Sequence, residues 1–196
     1  MSVYQLKINN PQIRAVLEKT QTKKFDVKSR AKGFKEEDYD AVSAYSTSDT
    51  YLSKKMLANK VNIEFAYNII IGETEGGSYL LSNLKPILNF GKFYTSGYDP
   101  RGFVGWHDDT DIYGYYIMLT LCTSDDGFFR YRKNDTHEII TVRDKVGWLV
   151  KGVKLGYNED DVFWHCALTN SPRYTFLLHY EYENDFKKAM EIVERD

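Results

Sequence analysis

Apolar and polar positions change their rhythm along this chain at about residue 75. Before that point the spacing is mixed and partly helical. Asn10 followed by Pro11 offers a cap and a first-turn proline, which predicts a helix opening over PQIRAVLEKT. A second short helix is predicted over TYLSKKMLANK. NIEFAYNIII then reads as the first strand, closed by the turn-forming GETEGG. Beyond it, short runs rich in aromatic and β-branched residues recur every eight to twelve residues or so, the spacing of sandwiches and barrels. They are SYLLSNL, ILNFGKFYTS, FVGWH, YYIMLTL, GFFRYR, EIITV, VGWLVKGV, DVFWHCAL and RYTFLLHYEY, with breakers at 99–102, 124–127 and 158–161. NDFKKAMEIVERD regains a helical period behind a cap at Asn184. The pattern predicts a mainly β chain with flanking helices around a sandwich or jelly-roll core. It forms one domain over 1–196: a helical layer and first strand to about 75, the core over about 76–182, and a helix over 184–195.

Composition narrows this little. The 196 residues are 42% hydrophobic and 28% charged with four prolines, which excludes a disordered or collagen-like chain. Aromatic residues make up 15%, a weight that favours pleated, half-buried surfaces. Cys122 and Cys166 are too few for a disulfide framework and match no metal or redox spacing, so both are expected as reduced thiols. No apolar run approaches a membrane span, and the first residues lack the basic-then-apolar layout of a signal peptide. A cytoplasmic protein without membrane contact is expected. The net charge of -2 does not announce a nucleic-acid binder, yet residues 19–35 carry Lys19, Lys23, Lys24, Lys28, Arg30, Lys32 and Lys35 against Asp26 alone. A solvated loop is the simpler account of that segment, and an acidic partner such as nucleic acid the alternative.

Four histidines restrict any imidazole-based metal site to a short list: His107, His137, His165 and His179. A mononuclear iron(II) site with two imidazoles and one carboxylate leaves positions open for a chelating cosubstrate and O2. In sequence it often reads His-x-Asp/Glu with a distant His, because residues i and i+2 at a strand end point to one side. His107 and Asp109 give the close pair and His165 the distant ligand. With 28 acidic residues in 196, about one histidine in seven has an acid two places on by chance, and His179-Tyr180-Glu181 is such a pair with no later histidine to complete it. A second filter is the far carboxylate of 2-oxoglutarate, the usual cosubstrate of such sites, which the planar fork of an arginine can hold. Arg173 stands eight residues after His165, and Thr175 shares its strand face.

The ordered set of Tyr98, GYDPRGFVGWHDD, YYIMLTL, DDGFFRYR, VGWLV and WHCALTNSPRYTFLLHY, over about residues 90–182, resembles the iron(II)- and 2-oxoglutarate-dependent oxygenases, in their prolyl-hydroxylase-like branch. The resemblance implies a double-stranded β-helix (jelly-roll) core, with iron held by His107, Asp109 and His165 and the cosubstrate's side-chain carboxylate by Arg173. It also implies that Tyr98 touches the cosubstrate and that Tyr116 and Thr120 line its pocket. The implied activity is hydroxylation of an unactivated C–H bond, most naturally in a prolyl, peptidyl or small amino-acid substrate, using O2 and releasing succinate and CO2, with ascorbate helpful. One departure concerns substrate class: prolyl 4-hydroxylases generally carry a lysine about ten residues after the second histidine, where this chain has Arg173 at eight. Two other classes stay open, an oxygenase of a nucleic-acid base using segment 19–35 for phosphate, and a non-catalytic jelly-roll metal- or ligand-binding module.

Other residues have plainer expectations. Trp106 and Trp164 precede ligand histidines and should pack on the opposite strand face. Cys166 should face away from the metal, His137 should be a surface residue and His179 a core or rim residue. Asp108 should point away from His107, and Asp111 should fall in a turn.

Overall fold

The computed structural model of the chain describes residues 3–25, 29–30, 36–58, 63–70, 74–109, 112–156 and 161–196. Ten strands are described, in chain order β1 (Val3–Leu6), β2 (Ser29–Arg30), β3 (Ala66–Ile70), β4 (Phe93–His107), β5 (Gly114–Cys122), β6 (Phe128–Arg132), β7 (Ile139–Arg143), β8 (Gly147–Leu155), β9 (His165–Thr169) and β10 (Arg173–Tyr180). The helices are α1 (Pro11–Gln21), α2 (Tyr39–Ser46), α3 (Asp49–Leu57), α4 (Glu75–Leu88) and α5 (Glu183–Glu194).

Strand β4 organises the architecture. Its first half, Phe93–Tyr98, pairs with β10, and its second half, Gly102–His107, pairs with β9. The chain bends between them at Arg101, whose φ of 63° is left-handed. Ladder hydrogen bonds therefore run β1-β8-β5-β10-β4 on one side of the bend and β4-β9-β6-β7 on the other, all antiparallel. Counting β4 twice, eight core strands divide four and four between two facing sheets, with β6 and β7 as the one consecutive pair in the same sheet, which is a double-stranded β-helix, or jelly roll. The Asp-Pro-Arg-Gly stretch is thus a corner inside one strand and not a break between two.

Three apolar clusters hold the layers together. On the outer face of the larger sheet, Ile117, Leu119, Val150, Phe176 and Leu178 meet Ile13 and Leu17 of α1, Leu80, Leu84 and Leu88 of α4, and Phe186 and Val193 of α5. Leu80 and Leu84 are wholly buried, so truncating either to alanine should cost about 2–5 kcal/mol. Gly152 lets α5 settle on β8, since a Cβ there would lie 2.6 Å from Met190 Sδ and 2.9 Å from Phe186. A second cluster fills the space between the sheets, and a third covers the outer face of the smaller sheet, where Trp106, Trp164 and Cys166 meet Tyr51 and Leu52 of α3. That is the packing expected of the two tryptophans and of Cys166.

Several sequence expectations are corrected. SYLLSNL is not a strand but the middle of α4, because Leu80, Leu81, Leu84 and Leu88 recur at helical spacing on the buried face. Thr74 caps this helix by accepting from the Gly77 N–H at 2.9 Å, which removes part of GETEGG from the turn predicted there. The first strand is β1 and not NIEFAYNIII, within which β3 covers Ala66–Ile70; β1 is an edge strand of only four residues, Val-Tyr-Gln-Leu, too short for its period to stand out in the sequence. DVFWHCAL is strand only from His165. The last helix starts at Glu183, one residue before the predicted start, and its N-cap position is Tyr182, which makes no side-chain cap bond. Helix α2 has no counterpart in the expectations. Asn10 does cap α1, accepting from Gln12 and Ile13 N–H at 3.0 and 3.1 Å, and Ser48 caps α3.

Candidate active site

His107 is the last residue of β4 and His165 the first of β9, and the two are direct cross-strand partners. A bulge makes them so. The register between β4 and β9 slips between Val104 and His107, so two residues of β4 oppose one of β9. Val104 faces the space between the sheets; strict alternation from it would turn Trp106 inward and His107 outward. With the extra residue, Trp106 joins the outer cluster and His107 turns in. The imidazole centroids stand 4.1 Å apart.

Asp109, just past the strand end, completes the group. Its carboxylate oxygens lie 3.7 Å from His107 Nε2 and 3.3 Å from His165 Nε2. One donor atom from each of the three residues lies within 4.8 Å of the others. Each imidazole is oriented by backbone: Nδ1 of His107 is 2.8 Å from the Gly105 carbonyl oxygen, and Nδ1 of His165 is 2.9 Å from that of Phe163. A carbonyl only accepts, so Nδ1 carries the proton and the Nε2 lone pairs point to the common centre. Burial, then the neighbouring His165, lowers the His107 pKa to about 4 and keeps it neutral. Burial pushes the Asp109 carboxyl up, but His165 and His107 outweigh it and hold the group ionised well below its usual range. Burial opposes charge on His165 as well, and there the Asp109 carboxylate prevails and raises the pKa. Two imidazoles and a carboxylate on one side of a point, open on the other, suit an octahedral iron(II) ion better than a closed tetrahedral zinc site. Cys166, whose thiol would favour zinc, points into the outer cluster.

A cavity of about 330 Å³ runs from this triad to Arg173. Arg173 opens β10, is almost fully buried, and donates from Nε to Asp144 Oδ2 at 3.1 Å and from Nη1 to Thr175 Oγ1 at 3.2 Å. Nη2 has no hydrogen-bond partner among the described residues. Burial opposes its charge, but Asp144 outweighs it and raises the arginine's pKa further. Tyr98 joins the two ends. Arg173 sits over its ring at 5.5 Å, and burial pushes its phenol up to about 12, with Arg173 and Asp109 pulling in opposite directions.

Of the residues singled out in the sequence, His107, Asp109, His165, Tyr98, Tyr116, Arg173 and Thr175 all line this one cavity. The Tyr116 hydroxyl donates to the Ile112 carbonyl, which leaves its ring to the cavity. Thr120 does not line it; the residue is fully buried on the same strand face, and its hydroxyl has no hydrogen-bond partner. His179 is half-buried beside Tyr116 at 5.0 Å, and His137 is exposed, both outside the triad as expected. Asp108 is buried and is not part of the metal-ligand group, while Asp111 lies outside the described residues. Lys28, Lys32 and Lys35 of the basic segment also lie outside them; Lys23 is described and pairs with Glu75 at 3.2 Å. The sequence reading missed Lys151 and Asp144. The signal for Lys151 was available: a lysine among the inward positions Leu149, Val153 and Leu155 of a strand is out of pattern. Among the described residues no helix is long and apolar enough to cross a membrane.

No protein-family model and no curated protein matches the chain. Among solved structures it is similar to a prolyl-4-hydroxylase of Pseudomonas putida, at 16% identity and a TM-score of 0.38 over 87% of this chain and 100% of that one. A 2OG-Fe(II) oxygenase family oxidoreductase from Burkholderia pseudomallei matches at 12% identity and 0.41, over 81% of this chain and 95% of that one. The ribosomal oxygenase YcfD of Escherichia coli matches at 15% identity and 0.39 over 61% of this chain, which spans 33% of the YcfD chain.

Proposed function

We propose that the chain is an iron(II)- and 2-oxoglutarate-dependent dioxygenase that hydroxylates an unactivated C–H bond. The observation that carries this reading is one cavity with a two-histidine, one-carboxylate group at one end and a buried arginine at the other. His107, Asp109 and His165 would hold the metal, with their Nε2 and carboxylate lone pairs already converged. Arg173 would take the far carboxylate of 2-oxoglutarate through its unpartnered Nη2, with Thr175 fixing the guanidinium plane and Tyr98 flanking it. When bound, iron(II) with 2-oxoglutarate and O2 supplies the oxidising power that turns a C–H into a C–OH as the cosubstrate becomes succinate and CO2. The protein's part is to orient these groups and exclude water: His107 and His165 are 4% and 7% exposed. Ile69, Val104, Met118, Phe129, Leu155 and Leu177 give the cavity apolar walls, which favour an aliphatic reacting carbon, as in a prolyl, peptidyl or small amino-acid substrate.

The test is succinate formation from 2-oxoglutarate with added iron(II), ascorbate and O2, in pools of proline-containing peptides and free amino acids. Turnover that vanishes in Asp109→Ala supports the reading. Wild-type protein that neither turns over nor binds 2-oxoglutarate in the presence of metal would leave a non-catalytic binding module.

A further inference from the structure

One cation on the inner face of the larger sheet has no part in the chemistry above. Lys151 lies in β8 between the inward residues Leu149 and Val153, is 2% exposed, and its Nζ has no hydrogen-bond partner among the described residues. Its contact is the Phe129 ring, 5.4 Å from Nζ to the centroid, and that ring is 5.7 Å from the His165 imidazole. Cross-strand register places it relative to Arg173. Lys151 stands opposite Met118, Leu149 opposite Thr120, Thr120 opposite Thr175, and Arg173 opposite Cys122. Partners across antiparallel strands share a face, so all four residues stand on the inner face; Lys151 starts nearer the middle of the sheet than Arg173, just behind the cavity wall, and its ammonium comes close enough to feel the charges of Arg173 and Asp144.

The charges there do not balance. Arg173 and Lys151 bring two positive charges and Asp144 one negative charge, all three groups 3% exposed or less. Arg173 Nε occupies one Asp144 oxygen; among the described residues Arg173 Nη2, Lys151 Nζ and Thr120 Oγ1 have no partner, and of acceptors only the second Asp144 oxygen, Oδ1, is idle beside them, which leaves one positive charge uncompensated. Burying an ammonium without a counter-charge costs several kcal/mol, and a ligand carboxylate at this spot would supply the missing charge together with acceptors for the idle donors. Building on the proposed function, we infer that Lys151 is a second cationic anchor for the far carboxylate of the 2-oxo acid. With Arg173 it makes this end selective for a 2-oxo diacid over a 2-oxo monoacid of the same length.

Calorimetric titration of the protein loaded with manganese(II), under conditions where nothing turns over, tests this with two probes. These are 2-oxoglutarate and 2-oxovalerate, which keeps the five-carbon 2-oxo acid and lacks the far carboxylate. Wild type should prefer 2-oxoglutarate, and Lys151→Met should lose about ten- to a hundredfold of that affinity, the size of a charge-assisted hydrogen bond, while binding 2-oxovalerate within about twofold of wild type. A merely structural lysine would move both ligands alike, which would overturn the inference. Lys151→Gln, of similar length and uncharged, is the parallel variant should methionine prevent folding. If Arg173→Met abolishes 2-oxoglutarate binding and both Lys151 variants bind as wild type does, the inference fails and the proposed function stands. If wild type binds neither acid, the proposed function fails first.

Discussion

The triad end of the cavity keeps a partly exposed carboxylate and the cation end is almost wholly dry, and their polar atoms are engaged in opposite ways. At the triad end each imidazole has its N–H satisfied by a backbone carbonyl, and what faces inward is a set of lone pairs and a carboxylate. At the cation end donors prevail: an arginine Nη2, a lysine Nζ and a threonine hydroxyl have no partner among the described residues, against one idle acceptor, Asp144 Oδ1. One end asks for a cation and the other for an anion. A metal ion held by His107, Asp109 and His165, with a dicarboxylate held by Arg173, would answer both at once. A site built only to hold a structural metal would have no reason to bury two cations in the same inter-sheet space.

The largest effect is expected at Asp109. Asp109→Ala removes the only anionic donor of the triad and should lower turnover by about three orders of magnitude or more, with metal content after desalting falling in step. Stability should fall modestly, because the pairing of this carboxylate with the two imidazoles is lost but the group is partly exposed. Retained metal with full turnover would remove the triad from the chemistry.

Arg173→Met attacks the other end and should show up in folding as well as in binding. It strands Asp144, 3% exposed, without the guanidinium that pairs with it, and breaking a buried pair from one side costs about 3–5 kcal/mol. Urea unfolding would read this directly. Asp109→Ala should thus remove function at a small cost in stability, and Arg173→Met at a large one.

The unequal legibility of the two ends in the sequence has physical causes. The triad could be read because metal ligation uses rare residue types at a spacing set by strand alternation. Arg173 is legible as the arginine eight residues after His165, and Thr175 by alternation from it on β10. What the sequence hid is the bulge between Val104 and His107, without which the inward face of β4 ends on the wrong residue. It also hid Lys151 and Asp144, which belong to a strand and a turn with no motif and become neighbours of Arg173 only through the pairing of β8, β5 and β10. The fold shows the same division. The strands of the core carry period-two or wholly apolar runs and were found, whereas α4 was taken for a strand because SYLLSNL, cut from its helical context, is a short apolar run of either kind. The corner at Arg101 joins two predicted strands into one, a feature of tertiary closure that local spacing does not carry.

Lys151 sharpens the comparison through pH. Burial, and then the Arg173 charge, lowers its pKa from 10.5 to about 8, with Asp144 and Cys122 acting the other way. The folded state thus binds this proton more weakly than the unfolded chain does. The destabilising contribution is present in full below about pH 8 and is relieved as pH rises towards 10.5, so this group makes stability rise with pH across that window. Burial raises the neighbouring Cys122 thiol to about 11, so it stays protonated through most of the same window. Lys151→Met should therefore be more stable than wild type at pH 7, by about 1–3 kcal/mol, and the gap should close by about pH 10. A variant less stable than wild type at pH 7 would mean that the ammonium has found a partner, and the charge imbalance at this end would be gone.

The smallest effect separates the two threonines that face each other across β5 and β10. Thr175 Oγ1 accepts from Arg173 Nη1 at 3.2 Å, whereas Thr120 Oγ1 is buried with no partner. Valine has nearly the shape of threonine and suits a strand, so each Thr→Val change removes a hydroxyl and little else. Thr175→Val should cost about 1 kcal/mol, because a charged donor loses its acceptor, and should weaken 2-oxoglutarate binding a few-fold as the guanidinium plane loosens. Thr120→Val should leave stability unchanged or slightly improved, because a buried hydroxyl without a partner costs desolvation and returns nothing. Its effect on 2-oxoglutarate then reports on the cation end alone. Weaker binding in a variant that is no less stable would show that the Thr120 hydroxyl finds its acceptor in the ligand carboxylate. Unchanged binding would place that carboxylate with Arg173 and Lys151 and leave the hydroxyl idle.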